Sequence, residues 1–373
     1  MRFPCVTTLV LLAVGVCSSS AGDSTQQKPA WQAELNVPDY PKQNGLRPFI
    51  RPAVTFLDPA AVAVAYAIAA PKDSPFPWEL SLSILSVTDG SVQVRKTFPM
   101  AGKSAGLFRS RAGKLIVWLG GRLIVLSPQT FSTERSRELR GGVGPYTDGE
   151  HVVVVDWRGY TVKTGPHSGY VHDSTYKVSF VRLDTLETEA ACDVDGLDIP
   201  KAVQGDFVAN MVTAADGRHG VYLGSFCGVW KRVSDLQGRA DFLSPDSLVV
   251  TDRPDMERPR VTVITKEGKE VCAVDLKKYS GSLEPAKPSS EGRRFALKIH
   301  DLAGFEKSSW DIYRHLSRTH ISVYGPASNS CLTVLLDADT TKRPKPPFDF
   351  ALSPDGGSLV VLGDGRVRMF RVP

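Results

Sequence analysis

The chain has little of what metal, redox and nucleic-acid proteins are built from. Seven histidines and six cysteines are spread over 373 residues, and no two cysteines form a C-x-x-C pair. That spacing argues against zinc-ribbon and thioredoxin-like classes. No block of like charge occurs: 45 Lys and Arg against 40 Asp and Glu leave +5 at pH 7, dispersed along the chain. A solvated surface of mixed charge follows, not a nucleic-acid footprint. No apolar run reaches the roughly 18 residues that span a bilayer, and no amphipathic pattern exceeds about three helical turns. Catalytic motifs are missing too. Gly224 to Gly228 reads "GSFCG", with Phe226 where a hydrolase elbow needs serine. "GGVG" at Gly141 to Gly144 opens no helix and so makes no phosphate loop. No catalytic residue, cofactor or metal is assigned from the sequence.

What is present begins with a leader. Arg2 precedes the apolar run Val6 to Val16, and Ser19-Ser20-Ala21 supplies a small-x-small site before Gly22. Residues 1–21 therefore read as a secretory signal peptide, and 22–30 as a disordered polar tail. The mature protein is expected to be secreted or periplasmic. Cleavage after Ala21 is favoured over a lipid anchor on Cys17, because Val16 is too bulky for the position before a lipidated cysteine. Cys192, Cys227, Cys272 and Cys331 remain, and four cysteines allow three pairings. Buried thiols and a bridge both stay open.

From residue 31 onward the chain is a succession of short strands separated by turn chemistry. A unit recurs: a turn-rich entry strand, a strongly apolar strand, then a hairpin of two alternating strands. The first copy is "AVTFLD", "AVAVAYAIA", "LSLSILSVTDGSVQVRKTF", with Asp89-Gly90 at the turn. Residues 31–373 divided into seven give about 49 residues per unit, slightly above a usual propeller blade. The expected fold is all-β: a single domain, a seven-bladed β-propeller of four-stranded antiparallel blades. The last blade lacks its outer strand. "WQAELNV", Trp31 to Val37, is expected to pair beside "RVRMFRVP" and close the ring. A six-bladed ring is the alternative, because the fourth unit, "KAVQGDFVANMV", has no S-P-D-G turn.

Two of those turns, "FLSPDSLVV" (Phe242 to Val250) and "ALSPDGGSLVV" (Ala351 to Val361), resemble bacterial WD40-like and YVTN-type propellers. The resemblance implies a secreted or envelope propeller and carries over no catalytic residue, since the matched positions are turns. Trp310-Asp311 lies in a loop, away from the strand ends where a WD dipeptide belongs. A sialidase box is matched at Ser353, Asp355 and Gly357 but has Leu359 and Val360 in place of Thr and Trp.

Long segments recur between second and third strands: "APKDSPFPWE", "DWRGYTVKTGPHSGYVHDST", "TDRPDMERP" and "HDLAGFEKSSWDIYRHLSRT". All emerge on one face of a propeller, where a rigid scaffold displays binding residues. The candidate face carries Trp78, Trp157, Arg158, Tyr160, His167, Tyr170, His172, Arg253, Arg258, Trp310, Tyr313 and Arg314, with Phe305 beside them. Aromatics and arginine are the residues of recognition hot spots. His167, His172, His300 and His315 fall in loops without ligand spacing. The reading is a non-enzymatic module, expected to be a monomer, holding a protein, peptide or envelope component. Neither nucleic acid nor a membrane span is expected. A lactonase-like or glycan-acting hydrolase, with its site at the central channel mouth, is the alternative.

Overall fold

A computed structural model describes residues 28–35, 53–100, 105–164, 170–195, 199–200, 202–204, 207–213, 219–236, 238–252, 259–276, 280–281, 286–291, 294–302, 316–325, 330–336, 349–363 and 365–373. Residues 1–21, expected to be a signal peptide, the segment "PDYPKQNGLRP" and Cys17 lie outside them. Every regular element among the described residues is a strand, and none is a helix long and apolar enough to cross a membrane.

The strands form antiparallel sheets in chain order. Sheet 1 holds Ala53–Asp58, Ala61–Ala69, Trp78–Ser86 and Val92–Met100. Sheet 2 holds Ala105–Arg109, Leu115–Leu119, Arg122–Leu126 and Thr133–Glu138. Sheet 3 holds Gly142–Thr147, His151–Thr164, Tyr170–Arg182 and Thr188–Asp195. Sheet 4 holds Ala202–Gln204, Phe207–Thr213, His219–Ser225 and Lys231–Ser234. Sheet 5 holds Gly238–Ser244, Ser247–Asp252, Arg260–Thr265 and Glu270–Asp275. Sheet 7 holds Asp349–Leu352, Ser358–Gly363, Arg366–Arg371 and, from the other end of the chain, Trp31–Glu34.

Sheet 6 departs from the expected uniformity. Its innermost position is held by two described strands, Ser280–Gly281 and Lys287–Pro288, which pair separate parts of Phe295–Leu302 before Leu316–Tyr324 and Ser330–Leu336 follow. Seven four-stranded blades are thus corrected to six, accompanied by one five-stranded sheet.

The innermost strand of each sheet touches the innermost strand of the next, and Asp349–Leu352 touches Ala53–Asp58, so the sheets close into a propeller ring. Among the described residues there is no common core. Apolar clusters lie instead at the seams, as where Ala63 and Leu82 of sheet 1 meet Leu115 and Val117 of sheet 2. This is why second strands read as unbroken apolar runs. Ser358–Gly363 is buried throughout, sandwiched on both faces, whereas Thr133–Glu138 at the rim is mostly exposed.

The turns sit on one edge of each sheet. Val87 N donates to Ala60 O at 2.9 Å, Leu183 N to Glu150 O at 2.7 Å, Lys266 N to Asp246 O at 3.1 Å and Val372 N to Gly357 O at 3.0 Å. Each bond ties the outer part of a sheet to its first turn, on the edge away from the long loops. The S-P-D turn closes on itself there: Gly357 N donates to Asp355 Oδ1 at 3.0 Å and Ser358 N to Ser353 Oγ at 2.9 Å.

Inner strands are joined by two aspartates, Asp241 buried and Asp349 half-buried. Asp349 accepts the Val54 N–H at 2.8 Å across the seam between sheets 7 and 1, and Lys287 pairs with it. Asp241 accepts the Ala286 N–H at 2.9 Å and Arg239 Nε at 3.3 Å. Burial pushes the Asp241 pKa up to about 6, against the opposing pull of Arg239 and the Ala286 N–H. A folded-state value above the unfolded one makes this contribution to stability complete below pH ~4 and lost as pH rises through ~6. Urea midpoints should therefore show Asp241 withdrawing about 3 kcal/mol between pH 4 and 7. In Asp241→Asn this slope should disappear; an unchanged pH profile would show the carboxylate to be solvated.

Candidate functional site

The second and third strands of sheet 3 run 14 and 13 residues, against five each in sheet 2. The stretch expected to be a loop is therefore a β-ribbon, with Thr164 opposite Tyr170, Val162 opposite His172 and Tyr160 opposite Ser174. A bulge at Arg158 shifts the register, so that Trp157 faces Tyr176 and Gly159 faces Thr175. The first strand of the sheet ends its pairing at Val155, and the outer strand ends at Thr175. Beyond those points, among the described residues, the ribbon has no strand on either side. Five further residues per strand extend it by roughly 16 Å.

The candidate residues separate accordingly. Trp157 is exposed, at 56 %. Arg158 pairs with Asp156 at 3.4 Å. Tyr160, Tyr170 and His172 are placed by their backbones on the ribbon, which corrects their assignment to a loop. Trp78 is corrected more fully: it is 8 % exposed and packs into the seam with Leu80 and Met100. His300 is likewise in a strand, its Nδ1 3.0 Å from Thr319 Oγ1. His167, Arg253, Arg258, Phe305, Trp310, Tyr313, Arg314 and His315 lie outside the described residues.

A second grouping, which sequence reading missed, lies on the opposite, turn-bearing edge of sheet 3. In "TDGEH", Asp148 Oδ1 accepts the backbone N–H groups of Glu150 at 2.8 Å and His151 at 2.6 Å. Gly149 takes φ +85°, a backbone that glycine adopts without strain. His151 is 4 % exposed and stacks on Phe180 at 4.2 Å. Its Nδ1 lies 3.3 Å from Asp148 Oδ2, and its Nε2 lies 2.9 Å from Glu189 Oε2. Arg182 bonds Glu189 and holds that carboxyl below its usual range. Arg111 pairs with Glu150 at 2.5 Å. Only the recurrence of His, Asp and Glu within one turn signals this cluster in the sequence, and Glu189 joins it through strand pairing.

Two concavities occur at the rim. A groove of about 820 Å³ runs between Arg135–Arg137 and the hairpin at Thr185–Glu189. A smaller one, about 300 Å³, is lined by Val178, Val194, Pro200, Phe226 and Trp230. It flanks a disulfide between Cys192 of sheet 3 and Cys227 of sheet 4, Cα–Cα 5.8 Å, which resolves one of the open pairings. Cys272 packs half-buried at the seam between sheets 5 and 6.

No protein-family model matches the chain, and no curated protein matches it significantly. Solved structures do. Acylaminoacyl peptidase of Pyrococcus horikoshii superposes with TM-score 0.50 and 11 % identity, over 84 % of this chain and 49 % of the peptidase. Hsv2 of Kluyveromyces marxianus superposes with TM-score 0.50 and 12 % identity, over 86 % of this chain and 91 % of Hsv2. The chain thus spans about half the length of the peptidase. Identities this low speak for the fold, a β-propeller, and for nothing beyond it.

Proposed function

We propose that the chain is a binding module whose partner, an extended segment of a protein, peptide or envelope component, docks on the ribbon of sheet 3. One observation carries this: a two-stranded ribbon with both edges unpaired among the described residues and Trp157 exposed at its root. Isolated ribbons are marginally stable, and open edges present rows of unmet N–H and C=O groups that an incoming strand satisfies. In this reading the five-stranded sheet counts as the seventh blade, the S-P-D turns support a likeness to secreted WD40-like propellers, and the protein works as a monomer. The Cys192–Cys227 bridge fits an oxidising compartment reached after cleavage following Ala21. The hydrolase alternative places its site at the mouth of the channel. The donor cluster described above lies on the turn-bearing edge instead and lends it no support.

Joining Trp157 directly to Tyr176 through an Asn-Gly turn removes residues 158–175 while keeping the cross-strand pair. Capture from envelope extract tests the reading. The intact chain should retain a partner that the shortened chain, matched in circular dichroism and melting, does not. Trp157→Ala should weaken that partner's binding by ~30-fold, as at a hot spot. Equal capture by all three would sink the proposal.

A further inference from the structure

The bridge between Cys192 and Cys227 is the one covalent joint between sheets among the described residues, and it stands where a reagent can reach it. Gly228 N donates to Ser225 O at 2.9 Å, closing a turn that sets Cys227 at its third position, at the tip of the outer hairpin of sheet 4. Cys227 is exposed there, and Val229 beside the turn is 90 % exposed. Cys192, in the outer strand of sheet 3, is half-buried. Both cysteines form part of the wall of the concavity of about 300 Å³, together with Val178, Val194, Pro200, Phe226 and Trp230. A thiolate therefore has a way in from solvent, and the sulfur it meets first belongs to Cys227.

Shielded disulfides resist exchange, whereas exposed ones are the labile and regulatory ones. We propose that Cys192–Cys227 is a thiol–disulfide exchange site, a redox latch on the rim of the seam between sheets 3 and 4, with a dithiol as its co-reactant. One thiolate of the dithiol attacks Cys227 Sγ; the S–S bond breaks, and Cys192 Sγ leaves as a thiolate that takes up a proton. The second thiol, once deprotonated, attacks the dithiol's own sulfur in the mixed disulfide, closes a new disulfide there and expels Cys227, which is protonated in turn. Two electrons and two protons pass to the protein. What the latch then releases is lightly held. The hairpin tip keeps the stacking of Phe226 on Phe180, ring centroids 4.8 Å apart, and the packing of Trp230, both residues being only half-buried on this side of the seam. Cys272 sits at another seam and takes no part. Cys227 lies on the turn-bearing edge, away from the ribbon, so the latch stands or falls independently of partner docking.

The test exposes the folded chain to dithiothreitol, a free dithiol, and to thioredoxin, a protein-borne one, and maps the released thiols by alkylation and mass spectrometry. At ~1 mM, dithiothreitol should reduce the bridge within minutes, at a rate unchanged by urea below the unfolding transition. Reduction by thioredoxin as well would assign the site to protein dithiols; reduction by neither, or a rate rising with the unfolded fraction, would overturn the proposal. In single variants, Cys227 of Cys192→Ser should react with an aromatic disulfide at least ~10-fold faster than Cys192 of Cys227→Ser, and equal rates would refute the assigned point of attack. Val194→Phe, which fills the concavity, should slow reduction ~10-fold with the bridge still formed. On reduction, hydrogen exchange over residues 220–234 should rise ~10-fold while residues 92–100 of sheet 1 stay unchanged. No rise would show that the bridge latches nothing.

Discussion

Deleting residues 28–35 is expected to remove about 5 kcal/mol of stability, a large share of the ~5–15 kcal/mol available to a folded chain. The segment supplies the outer strand of sheet 7, with Ala30 N donating to Met369 O at 2.7 Å and Leu35 N to Gly365 O at 2.9 Å. Leu35 is 2 % exposed in the seam between sheets 7 and 1, and its carbonyl accepts the Tyr66 hydroxyl at 3.2 Å. Trp31 reaches the neighbouring sheet, donating from Nε1 to Val87 O at 2.7 Å. Its ring leaves no room at Gly90, where an added Cβ would meet it at 2.6 Å. Leu35→Ala alone should cost about 2–4 kcal/mol. Glu34→Gln, which breaks only an exposed pair with Arg366, should cost under ~1 kcal/mol. Urea unfolding followed by circular dichroism separates the three. A deleted chain with an unchanged midpoint would show that the ring does not depend on this strand.

Removing the Cys192–Cys227 bridge should have the next largest effect. The seam it crosses has a thin apolar filling: among the described residues, only Val153, Val178 and Phe180 are fully buried there, helped by half-buried Phe226 and Trp230. The bridge closes a loop of 35 residues, for which chain entropy predicts roughly 3–4 kcal/mol. In a chain of this length that lowers the melting temperature by roughly 5 °C. Calorimetry of the Cys192→Ser/Cys227→Ser double variant should match the wild type under reductant. A double variant melting with the oxidised protein would mean the seam holds without its bridge.

Much of the architecture is legible residue by residue. "AVTFLD" and "AVAVAYAIA" are the first two strands of sheet 1 to the residue, and Trp31–Glu34 pairs with Arg366–Met369 as the missing outer strand demanded. The failures have physical causes. Gly159 interrupts the run, the sequence Gly165-Pro166 reads as turn chemistry, and the pattern shows no apolar face, so nothing in it distinguishes a projecting ribbon from a loop. Trp78 opens a strand, and only its neighbours in the seam, Leu80 and Met100, make it core. "TDGEH" reads as a turn, because the residue that orients His151 is Glu189, 38 positions away. Six of the twelve expected face residues, His167, Arg253, Arg258, Trp310, Tyr313 and Arg314, lie outside the described structure.

Five outer hairpins each contain one residue with left-handed backbone: Gly90, Phe131, Leu186, Cys227 and Gly268. At each, the outer strand of the preceding sheet makes a joint, and the joints are of four kinds: a ring cap, a cation-to-carbonyl bond used twice, a disulfide and a close backbone approach. Trp31 caps Gly90; Lys96 Nζ donates to Phe131 O at 3.1 Å; Arg137 donates to Leu186 O at 2.6 Å. Cys192 bonds Cys227, and Val233 O presses so close to Gly268 that an added Cβ would meet it at 1.7 Å. Sheets built on one plan are prone to dock in the wrong order while a repeat protein folds. Joints that differ from most of their neighbours favour the docking of a sheet on its proper partner. The ring therefore carries its own assembly instructions around its circumference, written in side chains that face neither the channel nor the ribbon.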